Sequence, residues 1–325
     1  MRQLPLFAAF VVFAALESSL FAQAPLAWRW QEKDQCYVEW KTHILTSRKT
    51  AGREGDMDEE VAVVYRVTVL KQFPDRGVEL EAAIESVKAK IVPARVDPRL
   101  LEGETLRAAF DSQMNLTRLD GVDALMEKRF GAGTLPPHAK FVRLDIEDLC
   151  RSLFQDAFVP LPGRRVAASE KWEQQTTRAL APIGTHVLKK TFAADGKEPA
   201  RVTVTGASTL VPFKDGEFDL PYKVADPELK SADYRGSYLF DPAAGRLRQG
   251  ETLLRTRVSA TMVGAEVEVP GDATQEQTTT VRLLDTNPLA AGQPSGGSAA
   301  GLDRVVTNSL GMKLVLIPPG RFTMG

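Results

Sequence analysis

Residues 144–162 read LDIEDLCRSLFQDAFVPLP, and this stretch decides the architecture of the chain. Its apolar side chains Ile146, Leu149, Cys150, Leu153, Phe154, Ala157 and Phe158 recur at i, i+3, i+4, i+7, i+8, i+11 and i+12, one face of an α-helix. Asp145, with Asp148 three positions on, suits the helix start, and Pro160 and Pro162 forbid continuation, so the spacing predicts a helix over about 145–158. Long β-patterned runs flank it on both sides. One greasy helix between two strand-rich halves predicts a core element on which both halves pack. The expected fold is therefore mainly β, a β-rich α+β class: a long curved antiparallel sheet around one central amphipathic helix, with halves 25–143 and 163–288 that echo one another.

Upstream of the helix, Trp28, Trp30, Tyr37 and Trp40 mark an aromatic first strand region, and aromatics at such spacing pack on strand faces. The Gly-, Asp- and Glu-rich passage 52–60 reads as a solvated loop. Val61, Val63, Tyr65, Val67 and Val69 then alternate as a strand with one apolar face, Pro74-Asp75-Arg76-Gly77 turns, and Val78, Leu80, Ala82 and Ile84 return. The phase slips at Val87, Ala89 and Ile91, which predicts a β-bulge near Ser86 and a curved sheet. A hairpin from Arg107 to Leu119 and a short helix from Gly121 to Phe130 follow, and Pro136-Pro137 closes this half. Downstream, Trp172 opens a strand, His186 to Phe192 and Arg201 to Val211 form a hairpin about Asp195-Gly196, and Tyr238-Leu239-Phe240-Asp241 enters a turn at 242–245. Ala109-Phe110-Asp111 holds the equivalent place in the first half, the echo that suggests duplication. Leu254, Thr256, Val258, Ala260 and Met262 alternate with Arg255, Arg257, Ser259 and Thr261, and Thr279, Val281 and Leu283 with Thr280 and Arg282, as strands with one wet face.

At the N-terminus, Arg2 precedes an apolar run from Leu4 to Leu16 and an Ala22-Gln23-Ala24 cleavage pattern, so residues 1–24 read as a secretory signal peptide, the alternative being an uncleaved anchor. The run is short of the roughly 20 residues that span a bilayer, and no later segment approaches that length. An exported protein, periplasmic or extracellular, is expected. About 300 residues remain, enough for a proper core. A net charge of −1 argues against a nucleic-acid or anionic-membrane surface. The two cysteines, Cys36 and Cys150, allow one disulfide in an oxidising compartment, or stand as two buried thiols. Composition shifts at 289–304, a Gly/Ser/Ala-rich linker with a reach of roughly 20 Å.

Catalytic chemistry finds no constellation in the sequence, and no catalytic, cofactor or metal residue is assigned. His43, His138 and His186 lack metal or triad spacing. Glu79, Glu81 and Glu85 share a strand face, more in keeping with a solvated face than a cation site, and Arg246, Arg248, Arg255 and Arg257 read as outward-pointing charges. Gly296-Gly297 lacks the strand-to-helix setting of a phosphate loop, and Asn115-Leu116-Thr117 fits a glycosylation sequon that a bacterial chain would not use.

Two resemblances add context. Asn308-Ser309-Leu310-Gly311-Met312, then Leu314-Val315-Leu316-Ile317-Pro318-Pro319-Gly320 and Phe322-Thr323-Met324-Gly325, resemble the opening of the formylglycine-generating enzyme (sulfatase-modifying factor) family. That resemblance implies the incomplete start, over 305–325, of a C-type-lectin-like domain whose catalytic members oxidise a sulfatase cysteine with copper, through cysteines beyond Gly325. No residue here inherits that role, and copper is implied only if a complete domain follows. The body, about 28–288, resembles a secreted bacterial family known only as a domain of unknown function, on Ala157-Phe158-Val159-Pro160-Leu161-Pro162, Ser169-Glu170-Lys171-Trp172, Leu239-Phe240-Asp241 with Gly245-Arg246-Leu247, and the run QTTTVRLL at 277–284. This implies no activity. Curved sheets wrapping a helix are shared with lipoprotein-carrier folds, by analogy of fold alone. The expected function is a non-catalytic binding or interaction module at 25–288 with an apolar small molecule or a protein as partner. The alternatives are a lipid carrier, or an accessory part of a formylglycine-generating enzyme.

Overall fold

The computed structural model describes residues 25–75, 77–90, 97–131, 137–180, 182–197, 199–214, 222–264, 267–290, 305–307 and 313–315. The leader expected at 1–24, the linker beyond Ala290 and most of 305–325 lie outside the described residues. The chain divides into two units, Met1–Asn287 and Pro288–Gly325. In the second, two short strands, Val305–Thr307 and Lys313–Val315, pair antiparallel.

The first unit holds strands β1 (Gln35–Thr50), β2 (Arg53–Gln72), β3 (Val78–Lys90), β4 (Thr105–Phe110) and β5 (Leu116–Asp120), helices α1 (Val122–Phe130) and α2 (Pro137–Ala157), and strands β6 (Lys171–Leu180), β7 (Gly184–Ala194), β8 (Ala200–Pro212), β9 (Lys223–Asp241), β10 (Arg246–Val263) and β11 (Glu268–Leu284). All eleven strands form one antiparallel sheet in the order β5-β4-β3-β2-β1-β11-β10-β9-β8-β7-β6. The chain steps across this sheet in one sense, from β6 to β11 and from β1 to β5, and β1 pairs β11 from Tyr37↔Leu284 to Thr50↔Gly271. Both halves are thus one mainly β, curved sheet that is not closed into a barrel. The echoed Phe-Asp corners have a geometric basis. Asp111 Oδ1 accepts from the Asn115 amide and Asp241 Oδ1 from the Ala244 amide, each closing the turn after a buried phenylalanine, Phe110 or Phe240.

Bulges bend the long strands. Between Val64↔Ser86 and Tyr65↔Ile84, Glu85 of β3 has no counterpart, beside the residue where the apolar phase slips. Along β9, Lys230 is extra between Ser231 and Leu229, and a second irregularity includes Asp226 at φ 48°. Two expectations need correction. Residues 53–60 belong to β2 and are not a loop: β1 and β2 join through Ala51-Gly52 alone, both at positive φ, the two-residue hairpin turn that matches strand twist. Their polar composition marks a wet strand extension. The helix begins at Pro137, not near Asp145, because proline in a first turn lacks only an N–H that has no partner there anyway, so Asp145 and Asp148 lie inside the helix.

α2 lies on the inner face of the sheet. Ile146, Cys150, Leu153, Phe154, Ala157 and Phe158 are buried against Val38, Tyr65, Val67, Phe110, Phe240 and their neighbours. Phe158 sits 5.8 Å from the Phe110 ring and 5.7 Å from Trp28, which stacks on Trp30 at 5.1 Å. Past the helix end, where Pro160 and Pro162 prevent further turns, the free carbonyls of Val159 and Pro160 accept from the indoles of Trp28 and Trp172, both at 2.9 Å. The Tyr65 hydroxyl donates to the Leu153 carbonyl. Full burial of each such phenylalanine contributes on the order of 2 kcal/mol. Among the described residues, no helix is long and apolar enough to cross a membrane.

Candidate functional site

The C-terminal half of α2 fills one end of the concave sheet, and the other end is open. There a cavity of about 470 Å³ lies between the N-terminal half of the helix and the far ends of β1, β2, β10 and β11. Strand parity builds its walls. β1 contributes Trp40, Thr42, Ile44, Thr46, Arg48 and Thr50, β2 contributes Met57, Glu59 and Val61, and β10 contributes Thr256, Val258, Ala260 and Met262, every second residue in each case. Leu180 and Ile183 close one side, and α2 presents Asp145, Asp148, Leu149 and Ser152 at helical spacing. The lining is mixed: aliphatic side chains alternate with threonines and with Gln275 and Gln277, and charged residues stand both under the helix, at Asp145, Asp148 and Arg178, and along the strands, at Arg48, Glu59 and Asp272.

Asp148, Ser152, Arg178 and Gln277 form a wall shared with a smaller annex of about 70 Å³ beneath α2. Into this annex point Asp156 from the helix, His186 and Lys190 from β7, and Thr252 and Thr279 from β10 and β11. Trp40 Nε1 donates to Asp156 Oδ2 at 3.1 Å. Arg178 donates to Gln277 Oε1 at 2.7 Å and stands 3.8 Å from Asp148. The Thr42 and Thr279 hydroxyls meet at 3.2 Å. Three groups of the annex are left without such partners, the Tyr234 hydroxyl among them. His186 is 3% exposed and its Nε2 is unpaired, and Lys190, 5% exposed, makes no hydrogen bond or ion pair with a described residue, its Nζ lying 5.3 Å from the centre of the Tyr234 ring.

Burial sets the ionisation of these groups. Desolvation raises Asp148 to about 7 against the opposing pull of Arg178. It raises Asp156 as well, with Lys190 and the Trp40 hydrogen bond opposing. Desolvation, helped by the charge of Arg178, lowers His186 to about 4, so its imidazole is neutral at neutral pH. With both carboxyls raised toward their neutral forms beside the Arg178 guanidinium, the annex favours an anion over a cation.

No family model matches the chain, and no curated protein does. Among solved structures the chain is similar, at 8% identity, to OccK11 (OpdR) of Pseudomonas aeruginosa over 79% of this chain and 100% of that one, with a TM-score of 0.22. It is similar at 10% identity to a DUF1329 family protein from Desulfovibrio piger over 81% of this chain and 88% of that one, with a TM-score of 0.14. A COG4313 outer membrane channel from Pseudomonas putida gives 8% identity, 79% and 98% coverage and a TM-score of 0.19. At these scores the likenesses carry no argument about this chain.

Of the residues singled out in sequence, Cys36 and Cys150 are both buried free thiols, each pushed up to about 12 chiefly by burial, and no disulfide joins them. Their electrostatic neighbours differ: Arg246, Asp285 and Asp34 act on Cys36, and Glu147 acts on Cys150. His43 is surface-exposed and bonds Asp58 at 2.8 Å, the side chain of His138 lies outside the described residues, and His186 alone reaches the annex. Glu79, Glu81 and Glu85 pair with Arg118, Arg107 and Arg66, while Arg246, Arg248, Arg255 and Arg257 pair with Asp285, Asp241, Glu276 and Asp272, so both sets are charged surface ladders. Asn115 is tied to Asp111 and Gln174. Among the described residues, no group of three or more His, Cys, Asp or Glu side chains is arranged to hold a metal ion.

Sequence reasoning missed Asp148, Asp156, Arg178 and Lys190 as a group. The signal was present in β7, where His186 and Lys190 share the inward parity of Leu188 and Phe192. A second signal was the polar stripe Asp148, Ser152, Asp156, at i, i+4, i+8 beside the apolar face of α2.

Proposed function

We propose that residues 25–288 are an exported, non-catalytic binding module that carries an apolar or amphipathic small molecule between α2 and the inner face of the sheet. The observation that carries this reading is the open cavity of about 470 Å³ at the end of the concavity that the helix does not fill. Its size falls within the roughly 300–1,000 Å³ of small-molecule sites, and its walls combine aliphatic side chains with a few convergent polar groups. A sheet whose concavity was wholly filled by the helix would leave no such room. The leader read in residues 1–24 supports export, and the resemblance of the body to a secreted domain of unknown function is part of the same proposal.

The test is titration of the purified chain with the apolar fluorophore N-phenyl-1-naphthylamine, beside the variant Val258→Trp, which fills the cavity from β10. Saturable binding that the variant abolishes is expected. No saturable binding, or equal binding by the variant, overturns the reading, and hydrolase or oxidase activity from this module overturns its non-catalytic character. The motif-level resemblance of 305–325 supports a second reading, in which a longer product joins this module to a formylglycine-generating-enzyme-like domain and the module is its accessory. Sequencing the reading frame past Gly325 tests it: a continuing domain with its cysteine pair supports it, and an immediate stop codon overturns it.

A further inference from the structure

The annex beneath α2 holds a chemical selectivity that an apolar cavity alone would lack. Lys190 extends from the centre of β7, between the inward-facing Leu188 and Phe192, with its stem buried and its ammonium unpaired over the Tyr234 ring. The Lys190 ammonium makes no hydrogen bond with a described residue, its stem is held among apolar neighbours, and its charge acts on the Asp156 carboxyl, so it stands ready to donate to a ligand in the annex. His186, two positions before Leu188 on the same face, aims an unpaired Nε2 into the same space. Arg178 stands at the wall between annex and cavity and is only half committed, bonding Gln277 at 2.7 Å and standing 3.8 Å from Asp148. Three nitrogen-bearing side chains therefore converge on a volume of about 70 Å³ beside two acids: Asp156, which accepts from Trp40 and feels the charge of Lys190, and Asp148, which feels Arg178 and is held by the Ala179 backbone amide. The annex has about a seventh of the cavity's volume, so a compact head suits it better than a bulky one.

Resting on the carrier reading above, we propose that the ligand is a single-chain amphiphile with a carboxylate head, a fatty acid, whose head enters the annex to meet Lys190, His186 and Arg178 and whose chain lies in the cavity against Ile44, Met57, Val258 and Met262. The carboxylate accepts from the Lys190 ammonium, which makes no hydrogen bond with a described residue, and Nε2–H of neutral His186 donates to the second oxygen. The Arg178 guanidinium guards the passage between the two spaces. A cationic amphiphile of equal length would place its charge against Lys190 and Arg178 and be excluded.

Isothermal titration of the full chain with laurate, 1-dodecanol and dodecyltrimethylammonium, each below its aggregation limit, tests this. Laurate is expected to bind at one equivalent and on the order of tenfold or more tighter than dodecanol, as a charge-assisted hydrogen bond in a buried site predicts, with the cation weakest. Lys190→Met keeps the length and apolar contacts of the side chain, and it is expected to lower laurate affinity by a similar factor while leaving dodecanol unchanged. Lys190→Arg is expected to restore part of the preference. Because removing a buried charge can alter folding, dodecanol binding by each variant serves as the control for an intact cavity, and His186→Phe provides a second, uncharged change in the annex with a smaller expected loss of laurate preference. Dodecanol binding as tightly as laurate, or a laurate preference that survives Lys190→Met, overturns the headgroup assignment and leaves the carrier reading standing. Binding of none of the three overturns both.

Discussion

Replacing Asp148 by asparagine isolates the energetic cost of a carboxylate buried under α2. The side chain is held between helix and sheet with Arg178 at 3.8 Å, and its ionisation is raised from 3.8 to about 7, burial outweighing the guanidinium. Between those two values the folded protein keeps a proton that the unfolded chain has released. Raising the pH through that window therefore weakens folding, and the loss is complete above about 7. A gap of about three units at 1.36 kcal/mol each corresponds to roughly 4 kcal/mol. Asparagine has the shape of the protonated acid and does not titrate, so Asp148→Asn should match the parent chain most closely near pH 4 and gain on it by about 4 kcal/mol by pH 8. For a domain of this size that gain opens a Tm gap on the order of 10 °C. His186 has the opposite sign. Its value is lowered from 6.5 to about 4, so the unfolded chain binds the extra proton, and the stabilisation is full above 6.5 and lost as pH falls toward 4. Asp156, raised by burial too, and His186 act alike in parent and variant, so the difference between the two curves isolates Asp148. Urea unfolding followed by tryptophan fluorescence from pH 4 to 8 measures both curves. A gap between parent and variant that stays flat, or that closes as pH rises, would refute the reasoning.

Other expectations follow from single contacts. A Cβ at Gly250 would stand 2.3 Å from a ring carbon of Tyr238, so Gly250→Ala should cost about 1–3 kcal/mol through overpacking, and Tyr238→Leu in the same chain should recover part of it; a neutral single variant argues against this packing. Phe158 is fully buried among Trp28, Trp30, Phe110 and Phe154, and Phe158→Ala should lower unfolding stability by about 3–5 kcal/mol in urea titration. Cys36 and Cys150 are buried, free and pushed up to about 12, so a disulfide-exchange reagent should leave both unmodified in the folded chain and titrate both in denaturant without reductant; finding neither in denaturant would mean a bridge.

The architecture was legible because burial imposes periods on sequence. The helical stripe from Ile146 to Phe158 named the element that fills the sheet, and the slipped phase at Val87 marked the bulge at Glu85. Boundaries were harder. Polar residues 53–60 extend β2 because Ala51 and Gly52 close a tight hairpin, and apolar alternation is lost in a stretch where Met57 is the one apolar side chain turned to the cavity. The annex was hidden for a different reason. Asp148, Arg178 and Lys190 lie on three elements, and only the β6–β7 hairpin folding under α2 brings them together.

The cavity itself follows from element lengths that become readable once the ends are fixed. α2 has 21 residues and so runs about 31 Å, whereas β2 has 20 residues and extends roughly 65 Å, so the helix cannot cover the strands it packs on. Its aromatic C-terminal turns settle at the end where Trp28, Phe110 and Phe240 wait. The uncovered end must then face water or a ligand. The inner wall there is mixed, with Ile44, Met57, Val258, Ala260 and Met262 set among Thr46, Glu59, Thr256, Gln275 and Gln277. Apolar side chains kept on that face beyond the reach of the helix, among polar ones, are what an amphipathic ligand would require.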